Sequence, residues 1–292
     1  MLRSGPLGEL STRAARLVEQ HAFDPLVSIR SLTVRFGLFS GTKLPGSWPR
    51  CIVLSMHVLE AVDLHKTYGD GAGGVQALAG VSLTLSAGEL VAVVGPSGCG
   101  KSTLLHLCGA MDRPTSGRVH VGGVTLADLD DEALTQLRRE RVGFVFQFFN
   151  LLPTLTLQEN IELPLLLAGV EATESERRAR ASAERVGIEH RRDHHPGAVS
   201  GGELQRAAVA RALVHEPALV IADEPTGNLD SENGRLVLTL LTELTRQTGV
   251  AMLLATHDQA IAAAADRVVR MRDGLEVRDI DVTVDGAVAP SS

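Results

Sequence analysis

Residues 90–103 read LVAVVGPSGCGKST, five apolar residues that break into a glycine-rich loop and then a helix-like segment. A continuous β-prone run of this kind predicts a strand buried on both faces. GPSGCGKST fits G-x-x-x-x-G-K-[ST], and a strand before it with a helix after it is the context that motif needs. The glycines let the backbone curl so that successive N–H groups face phosphate oxygens. The helix start adds the positive end of its dipole. Gly95, Pro96, Ser97, Gly98, Cys99, Gly100, Lys101, Ser102 and Thr103 are therefore expected to cradle the phosphates of a nucleoside triphosphate. Lys101 is expected to reach the β- and γ-phosphates and Ser102 to ligate Mg²⁺.

The loop sits in an alternating pattern. Strand-like VLEAVDLHKTY (58–68) and VSLTLS (81–86) precede it, SGRVHVGG predicts a hairpin, and DEALTQLRRE a helix with acids first and arginines last, as the helix dipole favours. VGFVFQ, ALVIADE and VAMLLATH read as buried strands, SENGRLVLTLLTELTRQTG and DQAIAAAA as helices, and RVVRMRDGLEVR as a hairpin. Between 148 and 215 the style changes to helical runs. The pattern predicts an α/β sheet domain with a helical insertion.

Three strand ends carry chemistry-bearing side chains. ALVIADE places Asp223 at a carboxyl end, where α/β ligands bind, and assigns it Mg²⁺ through water, with Glu224 facing the other side of the strand toward the attacking water. A lone Asp-Glu pair means little, but beside a phosphate loop it gains weight. His257 ends VAMLLATH and is expected beside the γ-phosphate, although a single histidine is more often a packing or surface residue. Gln147 ends VGFVFQ, where it can sense metal and water. Tyr68, the only tyrosine, is placed to stack on adenine, the alternative being a strand-edge aromatic.

VSGGELQR (199–206) opens another helix, with Ser200 as N-cap. Ser200, Gly201 and Gly202 form a second anion site. One chain's own triphosphate is already held by 95–103, so the second site is best explained if it serves another subunit's nucleotide.

Composition narrows the function. Net charge is −7 without long charged blocks, which excludes the basic face of a general nucleic-acid binder. Cys51, Cys99 and Cys108 fit neither a disulfide framework nor a zinc site, so a reduced, cytoplasmic compartment is expected. No apolar run approaches the roughly 20 residues that span a bilayer. Residues 1–55, with the only tryptophan at Trp48, lack a signal-peptide pattern. They are expected to be a weakly ordered extension, or upstream of a true start at Met56, rather than a membrane- or partner-docking arm. Residues 279–292 read as a frayed tail.

These motifs together resemble the ATPase subunit of an ABC transporter over about residues 58–278. GPSGCGKST resembles Walker A, Gln147 the Q-loop, VSGGELQR the signature, LVIADE Walker B, GNLD (227–230) the D-loop and His257 the switch histidine. The resemblance implies a P-loop NTPase core over 56–278, a RecA-like mixed sheet with an antiparallel β subdomain, and an inserted α-helical subdomain at about 148–215. It implies ATP and Mg²⁺ as cofactors, with Gln147 near the metal, and Asp230 of the D-loop near nucleotide. It also implies a head-to-tail dimer with a second copy of the chain or a homologous ATPase, in which Ser200, Gly201 and Gly202 close on the partner's ATP, and catalysis by Glu224, His257, Gln147 and Lys101. FVFQFFNLLPTLTLQENIELPLLLAG and ADEPTGNLD look like the macrolide-export (MacB) and lipoprotein-release (LolD) subfamily, which includes antimicrobial-peptide exporters and whose ATPases often drive a separate permease from the inner face of the membrane. The signature departs from the usual LSGGQ, because Glu203 puts a negative charge near an incoming γ-phosphate. A ribosome-acting ATPase usually has two such domains, and a chromosome-organising one a long coiled coil between its motifs. A cell-division relay with the same ATP chemistry is the remaining alternative.

Overall fold

The computed structural model describes residues 33–36, 52–55, 57–69, 73–258 and 262–277. The chain divides into two compact units, Met1–Leu54 and Ser55–Ser292. β1 (Thr33–Phe36) pairs with β2 (Ile52–Ser55) in a two-stranded sheet. Most of the expected extension, the 279–292 tail and residues 259–261 of the helix expected in DQAIAAAA lie outside the described residues.

The second unit is built on two sheets. β3 (His57–Tyr68), β4 (Val75–Ser86), β6 (Ser116–Val121) and β7 (Val124–Thr125) form an antiparallel sheet in the order β4-β3-β6-β7. The larger, mixed sheet has the order β12-β11-β5-β10-β9-β8. Its strands are β5 (Leu90–Val94), β8 (Val142–Phe146), β9 (Leu219–Asp223), β10 (Ala251–Thr256), β11 (Arg267–Arg272) and β12 (Leu275–Glu276). All neighbours in it are parallel except the β11–β12 hairpin. This is the expected α/β architecture.

The apolar runs of β5, β9 and β10 are continuous because both of their faces are buried. Val91, Val93, Leu219, Ile221, Leu253 and Ala255 join one core, with α1 (Lys101–Cys108) and the antiparallel sheet. Their alternating neighbours Leu90, Ala92, Val220, Ala222, Met252 and Leu254 join a second core on the opposite face. That core holds α3 (Leu157–Leu167), α4 (Ala172–Arg185), α5 (Gly201–Leu213) and α6 (Ser231–Thr248). α2 (Asp131–Arg141) lies before β8 and contributes Leu134 and Leu137 to the first core. The helical insertion between β8 and β9 is therefore not a separate body, since it shares a core with the sheet.

No helix among the described residues is long and apolar enough to cross a membrane.

Candidate nucleotide site

Strand register assembles the site. Phe146, Asp223 and Ala255 stand side by side across β8, β9 and β10, and Val94 of β5 pairs with Thr256. The carboxyl ends of these strands are thus level. Gly95, Gln147, Glu224 and His257 each follow the last residue of a strand and emerge along one edge. Gln147 and His257 were expected as final strand residues, and the structure puts each one step past the end.

The loop after β5 curls as its glycines predict. Gly98 has φ 79° and Gly100 φ 102°, in the left-handed region that glycine enters without Cβ strain. A Cβ on Gly95 would lie 2.2 Å from the Met271 carbonyl oxygen, so only glycine fits there. α1 begins at Lys101 with no side-chain cap and no acid in its first turn, which leaves its first N–H groups free for an anion. Lys101 is buried, and its ammonium donates to the carbonyls of Gly95 (2.8 Å) and Pro96 (3.1 Å). Ser102 beside it is exposed. Cys99 points under the loop, 3 % exposed, and its carbonyl accepts from Gly274 N–H at 3.1 Å. The β11–β12 turn thereby braces the loop from below.

Asp223 Oδ1 is buried without a hydrogen-bond partner. A buried, unpaired carboxylate oxygen is costly, and a carboxylate and a serine hydroxyl are the kind of hard oxygen ligands Mg²⁺ takes. Mg²⁺ needs only one or two protein oxygens when phosphates supply others. Among the described residues no cluster of three His, Cys, Asp or Glu side chains could hold a metal by itself.

Glu224 corrects the strand reading. It does not continue β9 facing the other way, because its backbone is left-handed at φ 47°. Its N–H donates to the Ala255 carbonyl at 3.0 Å. This turn brings its carboxylate to His257, with Oε2 2.7 Å from Nδ1. The His257 ring is 71 % exposed and the Glu224 side chain 19 %. The pair joins residues 33 apart in sequence.

Gln147 faces the start of the GNLD segment. Its Nε2 lies 3.5 Å from Asn228 Oδ1, and Asn228 Nδ2 donates back to its carbonyl at 2.9 Å. Residues of α5 hold the backbone on either side: Gln205 donates to Phe146 O at 3.4 Å and Arg211 to Phe149 O at 2.8 Å. Sequence gave no sign of either contact.

Ser200 caps α5 as expected. Glu203 N–H donates to its hydroxyl, and Glu203 Oε2 accepts from both Ser200 N–H and O–H at 2.8 Å, a reciprocal capping box. Arg191 Nε donates to Glu203 Oε1 at 2.9 Å. The Ser200 N–H bond first, then the Ser200 hydroxyl and Arg191, outweigh burial and hold this carboxyl at about 2. The charge that threatened the γ-phosphate is therefore turned back onto its own helix start and matched by an arginine. The S-x-x-E spacing at 200–203 is a signal that the sequence reading passed over, and Arg191 had no such signal.

Gly202 presses on Asn233, and a Cβ there would lie 2.4 Å from Asn233 Oδ1. Asn233 is held in turn by Asp230, whose carboxylate caps α6 through the N–H groups of Glu232 and Asn233 and the Asn233 amide. Asp230, expected near nucleotide, spends both oxygens on its own helix, and the Asn233 N–H bond leads in holding its carboxyl below the usual range. Tyr68 ends β3 and is 43 % exposed, with its hydroxyl donating to Asp112 at 3.0 Å.

A glycine loop between strand and helix, an aspartate with one buried, unpaired carboxylate oxygen and a Glu–His pair along one sheet edge define a P-loop nucleoside triphosphatase. Residues 78–227 match the ABC transporter family. The chain is 48 % identical over 222 residues to a lipoprotein-releasing system ATP-binding protein, LolD, of Geobacter metallireducens, covering 76 % of this chain and 99 % of that protein. It is 45 % identical to the macrolide export ATP-binding/permease protein MacB of Shigella flexneri, over 76 % of this chain but only 34 % of that longer one. A dimeric ATP-binding cassette solved in a post-hydrolysis state with ADP and phosphate superimposes with a TM-score of 0.70 at 39 % identity, covering 75 % of this chain and 97 % of that one. The chain belongs to the ABC transporter family as an ATP-hydrolysing subunit, grouped with the lipoprotein-release and macrolide-export ATPases.

Proposed function

We propose that this chain hydrolyses ATP as a head-to-tail dimer to drive a separate membrane permease of the lipoprotein-release or export type. The observation that supports the reading is the level line of strand ends carrying Asp223, Glu224 and His257, with Lys101 held by the carbonyl of Gly95 just past β5. Lys101 exchanges its two carbonyl bonds for β- and γ-phosphate oxygens. Ser102, and Asp223 through water, would hold Mg²⁺ with Gln147 alongside, and the ion would supply positive charge to offset that on those oxygens. Glu224 accepts the proton of the attacking water, and its short bond to His257 keeps the carboxylate aimed along the edge. His257 and Gln147 orient the γ-phosphate and the water. Ser200, Gly201 and Gly202 offer the N-terminus of α5 to the partner's γ-phosphate, so each site is completed only on closure. Hydrolysis removes that link and the dimer reopens.

The ATPase domain is assigned to 56–278, with the helical subdomain at 148–215. Within that subdomain Phe148 and Leu152, just after Gln147, and Leu166 and Leu167, at the end of α3, are exposed apolar residues, and such surface favours a partner. They suit a permease gripped on the inner face of the membrane, where the subunit is peripheral.

The test is capture. Tagged Glu224→Gln protein is extracted gently from membranes with Mg-ATP, and its companions are identified. A polytopic membrane protein with a large extracytoplasmic domain is expected, with two copies of the ATPase. A variant that stays monomeric with ATP overturns the dimer. Recovery of a division-site protein, ribosomes, DNA or no membrane protein overturns the transport reading.

A further inference from the structure

We infer that Asp112 is a positioning residue for the adenine platform: together with Lys66 it fixes the Tyr68 ring above the phosphate-binding loop. The inference rests on reading 95–103 as the phosphate site and Tyr68 as the stacking aromatic.

Tyr68 ends β3, and Gly69 turns the chain away with φ 83°. An exposed ring at a strand end would swing between rotamers, and ordering it would weaken any stacking. Here it is tethered at two points. Its hydroxyl donates to Asp112 Oδ2 at 3.0 Å. The Lys66 ammonium lies 4.8 Å from the ring centroid, within cation–π range, and leaves the other face for a base.

Asp112 ties these pieces together. Its Oδ1 accepts from Lys66 Nζ at 2.8 Å and from Arg113 N–H at 2.7 Å. Lys66 also donates to Arg113 O at 2.8 Å. The segment is stitched to β3 by Thr115 N–H to His65 O (2.9 Å) and Thr67 N–H to Thr115 Oγ1 (3.0 Å). Asp112 follows α1 and its own N–H reaches back to His106 O. One carboxylate thus links the strand that carries the ring to the helix that starts at Lys101. Burial pushes this carboxyl up, but Lys66, the Arg113 N–H and the Tyr68 hydroxyl outweigh it and hold it below the usual range. It remains an acceptor at neutral pH. Without it Lys66, with a side chain only 13 % exposed, loses its counter-charge and the ring its anchor.

The test compares two probes by calorimetry on the whole protein: ATP, and inorganic tripolyphosphate, which has no base. Tyr68→Ala is expected to weaken ATP roughly 5- to 100-fold, the loss of one base stack. Asp112→Ala is expected to weaken ATP about two- to tenfold, the scale of ordering one side chain. Both should leave tripolyphosphate unchanged, and Asp112→Ala should add nothing in a Tyr68→Ala background. Because Tyr68 is the only tyrosine, its phenolate absorbance reads this contact alone, and in Asp112→Ala it should titrate at lower pH. Asp112→Asn, nearly isosteric, serves if the alanine variant does not fold, with the same direction expected. Equal losses for both probes, or a loss that persists without Tyr68, overturn the inference. An ATP loss in Tyr68→Ala with none in either Asp112 variant overturns it too, leaving the stacking platform intact. No ATP loss in Tyr68→Ala overturns the stacking reading itself.

Discussion

Glu203→Gln isolates the charge at the start of α5 while keeping its shape. The Glu203 side chain is 12 % exposed, and its carboxylate takes hydrogen bonds from Ser200 N–H, Ser200 O–H and Arg191. A carboxyl held at about 2 instead of 4.5 corresponds to a ceiling of roughly 3 kcal/mol at neutral pH. Arg191 is 41 % exposed, so solvent screens part of that interaction and about 2 kcal/mol is expected. The folded value is depressed, so the stabilisation is complete above the unfolded value near 4.5 and is lost as pH falls toward 2. Urea unfolding of wild type and Glu203→Gln should therefore differ by about 2 kcal/mol at neutral pH. The gap should have shrunk by about half near pH 3. A gap that is absent at neutral pH, or that stays constant with falling pH, would refute the assignment of this carboxylate to the capping box and arginine.

Three further outcomes follow from the same geometry. Lys101→Ala should lose tight ATP binding in a filter or calorimetric assay, and wild-type affinity would remove its phosphate role. Gly202→Ala forces a methyl to within 2.4 Å of Asn233 Oδ1; the shift should cost about 1–3 kcal/mol of thermal or urea stability and weaken ATP-driven dimerisation, as sedimentation would show. Of the two cysteines described, Cys108 is fully buried and its thiol is pushed up to about 12 by that burial, whereas Cys99 lies in the loop itself. A thiol reagent should therefore modify Cys99 slowly but ahead of Cys108, abolish ATPase activity and be blocked by ATP, and full activity after complete Cys99 modification would contradict its place in the site.

Much of the site was legible because its motifs sit at junctions where local sequence dictates local structure. GPSGCGKST between a buried strand and a helix, or Ser200 at the head of α5, encodes its own conformation. Contacts made over long range were not legible. The level strand ends depend on register between β5, β8, β9 and β10, and no strand records its partner's alignment. The backbone of Glu224 carries no local cue, since glutamate seldom enters the left-handed region. The Tyr68–Asp112 bond spans 44 residues, so the tyrosine showed in the sequence while the residue that steadies it did not. Glu203 was visible as a charge, but its direction depended on Arg191, twelve residues upstream.

The left-handed turn at Glu224 also bears on how stable this protein can become. A glutamate at φ 47° costs about 1 kcal/mol relative to a residue without a Cβ. Glycine would fit that backbone unstrained, so Glu224→Gly should relieve local strain while discarding the carboxylate that faces His257. A screen for heat resistance alone would drift toward such silent, sturdier cassettes. Variants selected for both endurance and turnover must find their gains elsewhere, in the two cores or at helix ends, and leave this bent residue alone.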